Sequence, residues 1–596
     1  MSNLEEIYQS RVSEFSKKAK TLAKKHIRWS FLRLIIFLVG GAIAVYCSNF
    51  GIGWGFLSFA LFLPFFAYFI RLHQKIQFEK ELHENLARVN LEEISALENN
   101  HNIFEDGSRF VDVNHPYSGD LDIFGPHSIY QLFNRTTTAI GQQKLADYLN
   151  EIVDKDTILQ RQIAISELKD QLDWRQQLRA TGMNTEDDPA YIIALKEWLI
   201  QPDLIRGNSY NQMALWLFPI LGVIGIIVSI FYLPWQIIIL FLLPSILLLK
   251  KTFSDVNLII HQAGNAEKIL KYYGKIIELV ENGTFTSPIL TKLQNQLLNN
   301  HKKASKEINT LSFQLHQLNV RNNIFAFPIN LFGLWDLQWI NQLEKWKGTN
   351  KSNLPKWFDA LAEFETLCGF ATVYYNNPDW VFAKITEKPL INAIEIGHPL
   401  IPKQQRITNS IEIPTQGHIK LLTGSNMAGK STFLRTIGLN VVLSGIGAPI
   451  CAKSFETPLQ KVYTSMRTQD ALYENTSSFY AELKRLKFIL EAVDMGDNIF
   501  FLLDEILKGT NSNDRHNGSK ALIKQLIENK GSGIIATHDL ELGILEAQYN
   551  GAIENLCMEV RVNKDELIFD YKLEKGVSKS FNATLLMKNM GIKINE

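Results

Sequence analysis

The sequence predicts a chain in two parts: an all-α core and lever region interrupted by two apolar helical hairpins, then a C-terminal α/β domain whose parallel sheet is flanked by helices. Three observations predict it. Two pairs of apolar stretches break an otherwise polar texture, and the stretches around 132–151, 157–178, 266–281 and 290–320 repeat apolar residues at three- and four-residue spacing. From about Glu395, short apolar strands alternate with helices, the texture of a largely parallel sheet. A chain of 596 residues exceeds what one core serves. The composition shifts divide it into 1–75, 76–205, 206–252, 253–385 and 386–596.

The first apolar pair covers 31–47 and 52–70, the second 213–232 and 235–249. Their interiors carry almost no charge and approach the ~20 residues that cross ~30 Å of hydrocarbon, so both read as transmembrane hairpins. Arg33 lies near an end, where it can snorkel. The 235–249 stretch falls short of a full span unless it borrows flanking residues. Lys17, Lys18, Lys20, Lys24, Lys25 and Arg28 precede the first pair, and Arg71 and Lys75 follow it. This excess of cations places both ends in the cytoplasm, and Arg206, Lys250 and Lys251 say the same more weakly for the second pair. The expectation is a multi-pass membrane protein with its C-terminal domain on the cytoplasmic face. A polar, Lys-rich start gives no sign of a secretory leader. Cys47, Cys368, Cys451 and Cys557 are too far apart for a zinc knuckle or a disulfide framework, which suits a reducing compartment. With Lys+Arg and Asp+Glu both 61, no global positive field draws the chain to nucleic acid, and DNA as a partner is neither offered nor excluded.

The chemistry lies in the last third. A strand-like 419–423 runs into Gly424, Ser425, Asn426, Met427, Ala428, Gly429, Lys430, Ser431 and Thr432, then into the apolar-periodic FLRTIGLNVVL. This is G-x-x-x-x-G-K-S in the strand–loop–helix setting of a phosphate-binding loop, so the α/β domain reads as a P-loop ATPase. Glycines let backbone N–H groups converge on phosphate oxygens, and the helix N-terminus adds its positive end. Lys430 would reach the β/γ-phosphates of ATP and the Ser431 hydroxyl would ligate Mg2+. The apolar run 499–503 ends in Asp504 and Glu505, as a strand buried on both faces delivers carboxylates at its C-terminal edge. Asp504 can hold the magnesium through water, and Glu505 can polarise the attacking water. A third strand, 533–537, delivers His538, which could contact a γ-phosphate.

At these residues the sequence closely resembles the ATPase domain of the MutS family of DNA mismatch-repair proteins. TGSNMAGKST is similar to that family's P-loop, with Asn426-Met427 its mark. LLDEILKGTNSND, ATHDLE and KGVSKSFNATLL resemble its acidic strand, histidine loop and closing segment. MRTQDALYENTSSFYAELKRL resembles the serine-bearing signature that reaches across a dimer to the partner's γ-phosphate. By that match Ser477 and Ser478 act in trans, and the resemblance implies a homodimer with composite sites. LSGIG at 443–447 looks like a transporter signature but follows the P-loop too closely and lacks the full motif.

GPHSIYQLFNRTTTAIGQQKLADYLN with LQRQIAISEL resembles the family's helical core, and NAIEIGHPLI the approach to its ATPase. The resemblance covers most of the chain from about residue 120 onward, apart from 213–249. Three of the family's parts have no counterpart: the domain that wedges a Phe-x-Glu into mismatched DNA, the connector after it, and a strand-rich clamp near 253–346. Arg406 stands where the family often stacks an aromatic on adenine, a role a guanidinium can also fill. The leading expectation is a membrane-anchored ATPase that hydrolyses ATP in a dimer and drives a DNA or protein partner. ATP-driven transport and a non-hydrolysing scaffold are the alternatives.

Overall fold

The computed structural model describes residues 3–98, 100–184, 187–232, 234–298, 302–322, 326–425, 427–467, 478–496, 498–549, 551–563 and 566–578. It opens with an antiparallel hairpin of two 46-residue helices, α1 (Asn3–Ser48) and α2 (Ile52–Leu97). At 1.5 Å per residue each is about 69 Å long. The polar helix expected at the N-terminus and the apolar stretch after it are one continuous helix, and the same holds for 52–70 and the polar residues beyond. The apolar ends are bare, with 6% of the most apolar window of each helix buried.

The polar ends dock on the helical body. Phe15, Leu86, Val89 and Ala180 form a small core of their own, and the Tyr8 hydroxyl donates to Asn376 Oδ1 at 2.7 Å. Glu93 sits at the centre of the joint. Its carboxylate accepts from Arg135 Nε at 2.6 Å and Nη2 at 3.1 Å, from Arg179 Nη1 at 3.1 Å and from Asn376 Nδ2 at 2.8 Å. Burial alone would raise its pKa; the two guanidiniums outweigh that and hold it below the ordinary carboxylate value.

The body contains α3 (Ile129–Phe133), α4 (Ala139–Asn150), α5 (Lys155–Asp170), α6 (Leu172–Gly182) and α7 (Pro189–Ile200). After the second hairpin come α10 (Glu267–Glu281), α11 (Pro288–Leu297), α12 (Ala304–Asn319), α13 (Ala326–Gly333), α14 (Trp335–Asn350) and α15 (Leu354–Asn376). Three expected helices are broken. Thr138 caps α4 by accepting from Gly141 N, which ends the regular run at residue 134, and Gln171 closes α5 and opens α6. The 290–320 stretch likewise divides into α11 and α12.

The second hairpin comprises α8 (Ser209–Phe231), a 3-10 turn at Trp235–Ile237, and α9 (Ile238–Ala263). Among the described residues α1, α2 and α8 are the helices long and apolar enough to cross a membrane. The apolar part of α9 passes without a break into a polar half that belongs to the body.

The C-terminal domain holds two sheets. The smaller orders β1 (Lys384–Ile385), β5 (Ser454–Thr457), β2 (Leu390–Ile396) and β3 (Asn409–Pro414) side by side. The larger runs β10 (Glu566–Lys575), β9 (Ile553–Asn563), β4 (Ile419–Gly424), β8 (Ser532–Thr537), β7 (Ile499–Asp504) and β6 (Lys461–Ser465). Its strands pair in parallel except β9 with β10. Every residue of β4, β7 and β8 is buried, because α16 (Lys430–Ile446) and α17 (Ser478–Asp494), with α18 (Ser512–Glu528) and α19 (Leu545–Gln548), leave these strands no open face. The LSGIG segment is the end of α16, with Gly447 in the left-handed conformation that closes the helix.

Candidate nucleotide site

β4, β8 and β7 lie side by side, and all three end at the same edge of the sheet. Neighbouring strands are ~4.8 Å apart, so the P-loop after β4 and the acids at the end of β7 stand about 10 Å apart with the end of β8 between them. Gly429, at φ 93°, turns the chain into α16 in a conformation that a side chain would strain.

A contact chain crosses this edge. Lys430 Nζ donates to Gly424 O at 2.8 Å and Ser425 O at 2.9 Å, and lies 3.3 Å from His538 Nε2. That nitrogen is 2.6 Å from Glu505 Oε1. An ionised carboxylate only accepts, so Nε2 is the donor and carries the proton. The bond from His538, with Lys508 Nζ 3.3 Å from the other oxygen, brings the Glu505 carboxyl down to about 2. Burial brings the Lys430 ammonium down to about 8, against the opposing pull of Glu505 and Asp504. Glu505 sits at φ 51° and Leu507 at φ 62°, backbone regions that non-glycine residues occupy at a cost of order 1 kcal/mol. Glu505 N donates to Ala536 O at 2.9 Å, which helps to hold that turn.

Asp504 is 8% exposed, and its Oδ1 has no hydrogen-bond partner. A buried carboxylate oxygen without a donor is costly unless a cation or its water completes it. With the Ser431 hydroxyl one residue beyond Lys430, these residues fit a magnesium triphosphate. Of the expected site, Gly424, Ser425, Met427, Ala428, Gly429, Lys430, Ser431, Thr432, Asp504, Glu505 and His538 therefore belong to one edge of the sheet. Asn426 and Ser477 lie outside the described residues, and Ser478 is the first residue of α17. Arg406 donates from Nε and Nη2 to Ile401 O at 3.0 and 2.8 Å.

Residues 420–592 match the family model described as MutS domain V. The nucleotide site thus lies within the segment that matches MutS domain V. It is similar to MutS protein homolog 4 of Mus musculus, 32% identical over 255 residues, which is 41% of this chain and 25% of that protein. DNA mismatch repair protein MutS of Leptospira interrogans serovar Lai is 32% identical over 222 residues, 36% of this chain and 26% of the relative. The corresponding protein of Finegoldia magna is 28% identical over 290 residues, 47% of this chain and 33% of the relative. The matched segments thus span a quarter to a third of the length of these relatives.

Two features of the MutS domain V escape a reading of its motifs. Tyr571, on a bulge of β10 at φ 54°, lies beside the P-loop: a Cβ placed on Gly429 would come within 2.8 Å of its ring. No spacing rule links a tyrosine 142 positions downstream to that loop. The second feature is a bracket from the helical body. Asp120 accepts from Thr464 Oγ1 at 2.7 Å, Met466 N at 3.1 Å and Arg467 N at 2.9 Å, fixing the end of β6. Arg435 on α16 donates to Asp120 O at 2.9 Å, and Arg485 on α17 donates to His115 O at 2.9 Å. One loop thereby grips the P-loop helix, β6 and α17. Asp120→Ala leaves Met466 N and Arg467 N without an acceptor and should cost about 2 kcal/mol, read as a lowered unfolding midpoint; an unchanged midpoint would show that the bracket bears no load.

Proposed function

We propose that the chain is a membrane-anchored MutS-like ATPase that binds and hydrolyses ATP in a dimer and couples the cycle to DNA. The observation that carries the ATPase reading is the Lys430–His538–Glu505 contact chain running beside the unpartnered Asp504 oxygen. Lys430 exchanges two backbone carbonyls for phosphate oxygens. Ser431 and Asp504 would hold magnesium, which when bound neutralises charge on the phosphates. His538 can bond either Glu505 or a γ-phosphate oxygen with its Nε2 proton. When it turns to the phosphate, the Glu505 carboxylate loses its main stabilising donor, and its basicity rises. It then takes the proton of the attacking water, whose oxygen bonds to the γ-phosphorus as the bond to the β-bridging oxygen breaks.

Dimeric action rests on the resemblance at Ser477 and Ser478, and DNA as partner on the relatives' being DNA mismatch repair proteins. The bare apolar ends of α1 and α2 and the composition of α8 support the membrane anchor, and the cations flanking them support a cytoplasmic ATPase. The direct test is phosphate release by the full-length protein. Release that requires Mg2+ is expected, and none above background would sink the reading. Salt-dependent binding to mismatched, branched and plain duplexes tests the DNA arm, and failure with all three would overturn it.

Binding of a triphosphate requires Lys430 as the ammonium, which in the free protein loses its proton around pH 8. ATP affinity should therefore be flat below that pH and fall by up to about tenfold per unit above it, with proton uptake on binding. Titration calorimetry in two buffers of different ionisation heat reads both quantities. A pH-independent affinity up to 9.5 would refute a depressed Lys430.

A further inference from the structure

The short helix α13 belongs to neither apolar hairpin, yet it packs on the second. Its Phe332 ring and Leu242 of α9 meet at Gly222: a Cβ placed there would touch each at 3.4 Å. One turn past α13, Gln338 Nε2 donates to Leu215 O at 2.8 Å. Gly222 is nine residues past Met213, the start of the apolar stretch, which at 1.5 Å per residue is about 13 Å along α8. That is less than half of the ~30 Å hydrocarbon thickness.

Among the described residues none covers the other side of α13. Phe327 is 71% exposed and Ile329 51%, beside helices whose Trp216, Ile220 and Leu240 are also more than half exposed. We infer that α13 is immersed in the cytoplasmic leaflet beside α8 and α9, with Phe327 and Ile329 among the acyl chains. The inference rests on the reading that α8 lies in a bilayer, and it adds a membrane element that no hairpin contains.

The backbone chemistry of α13 suits lipid. Hydrocarbon tolerates few unsatisfied N–H or C=O groups, and Pro328 removes one donor from the first turn. At the other end Leu334 N donates to Asn330 O at 2.8 Å. Asn330 and Asp336 exchange two bonds, Nδ2 to Oδ2 at 2.9 Å and Asp336 N to Oδ1 at 3.2 Å. Arg321, 3.4 Å from Asp336, marks the polar base of the element. The apolar part of α9, twelve residues from 238 to 249, reaches about 18 Å, so it too stops inside the bilayer. The proposal makes the second anchor a wedge in which one long helix is flanked by two short elements.

The test uses the full-length protein in liposomes with Cys47→Ser, the other cysteines being buried. Spin labels are placed at Phe327→Cys, Ile329→Cys and, as the α8 reference, Ile220→Cys, and collisions with oxygen and with a water-soluble nickel chelate are compared. The expected result is a shift of the collision ratio toward oxygen at all three. Oxygen at 220 with nickel at 327 and 329 overturns the proposal and leaves the anchor standing. Nickel at all three sinks the membrane reading of this hairpin and the proposal with it. Labels at 327 and 329 shielded from both reagents would mean that a second copy or another protein covers α13, which also overturns it.

Discussion

Glu505→Gln should lower ATP turnover by about a hundredfold to ten-thousandfold while ATP still binds, the range lost when a positioned general base is removed. Glutamine is isosteric and can still accept from His538 Nε2, 2.6 Å away in the native protein, so the fold should be unchanged. Its amide cannot take a proton from water. Lys430→Ala should fail earlier: without the ammonium, now satisfied by Gly424 O and Ser425 O, nucleotide affinity should drop together with turnover. The two variants separate binding from chemistry when single-turnover phosphate release is measured alongside nucleotide binding. Native turnover in both would remove the ATPase assignment.

Arg135→Ala should destabilise the joint between the first hairpin and the body by about 3 kcal/mol, because it removes two of the four hydrogen bonds of a buried carboxylate and leaves it Arg179 as ion-pair partner. Glu93 and Arg135 are 2% and 3% exposed, too deep for water to replace the lost bonds. The pH dependence follows from the sign of the shift. The carboxyl of Glu93 is depressed from 4.5, so its contribution is complete above that value and is lost as pH falls through its lower folded pKa. Limited proteolysis in the 98–107 segment, together with denaturant unfolding, reads the loosening. A cleavage rate equal to that of the native protein would show that the ion network does not hold the joint.

The nucleotide site was legible because its parts are local. A glycine loop, two acids and a histidine each end a short, largely apolar strand, and neighbouring residues suffice to mark such strands. What joins them was not. Asp120 meets Thr464 across 344 positions and Glu93 meets Asn376 across 283, and no periodicity links residues so far apart. The continuity of α1 was hidden by composition: a Lys-rich stretch and an apolar one look like two elements, although helical spacing runs through both. α13 was invisible for the opposite reason, since eight residues are too few to stand out in a window sized for a full span. The breaks at 134 and 171 depend on a threonine cap and on a turn with no glycine or proline to announce it.

The last buried side chain on the polar part of α1 is Ala19, twelve residues before the bare apolar stretch begins at Phe31. On the proposed anchoring, that leaves a rigid stilt of only about 18 Å between the body and the lipid headgroups. Two copies standing on the same sheet of lipid share one up and one down, so a two-fold that pairs them must run along the bilayer normal. Diffusion in a plane, with tilt already chosen, then replaces tumbling in three dimensions as the way subunits find each other.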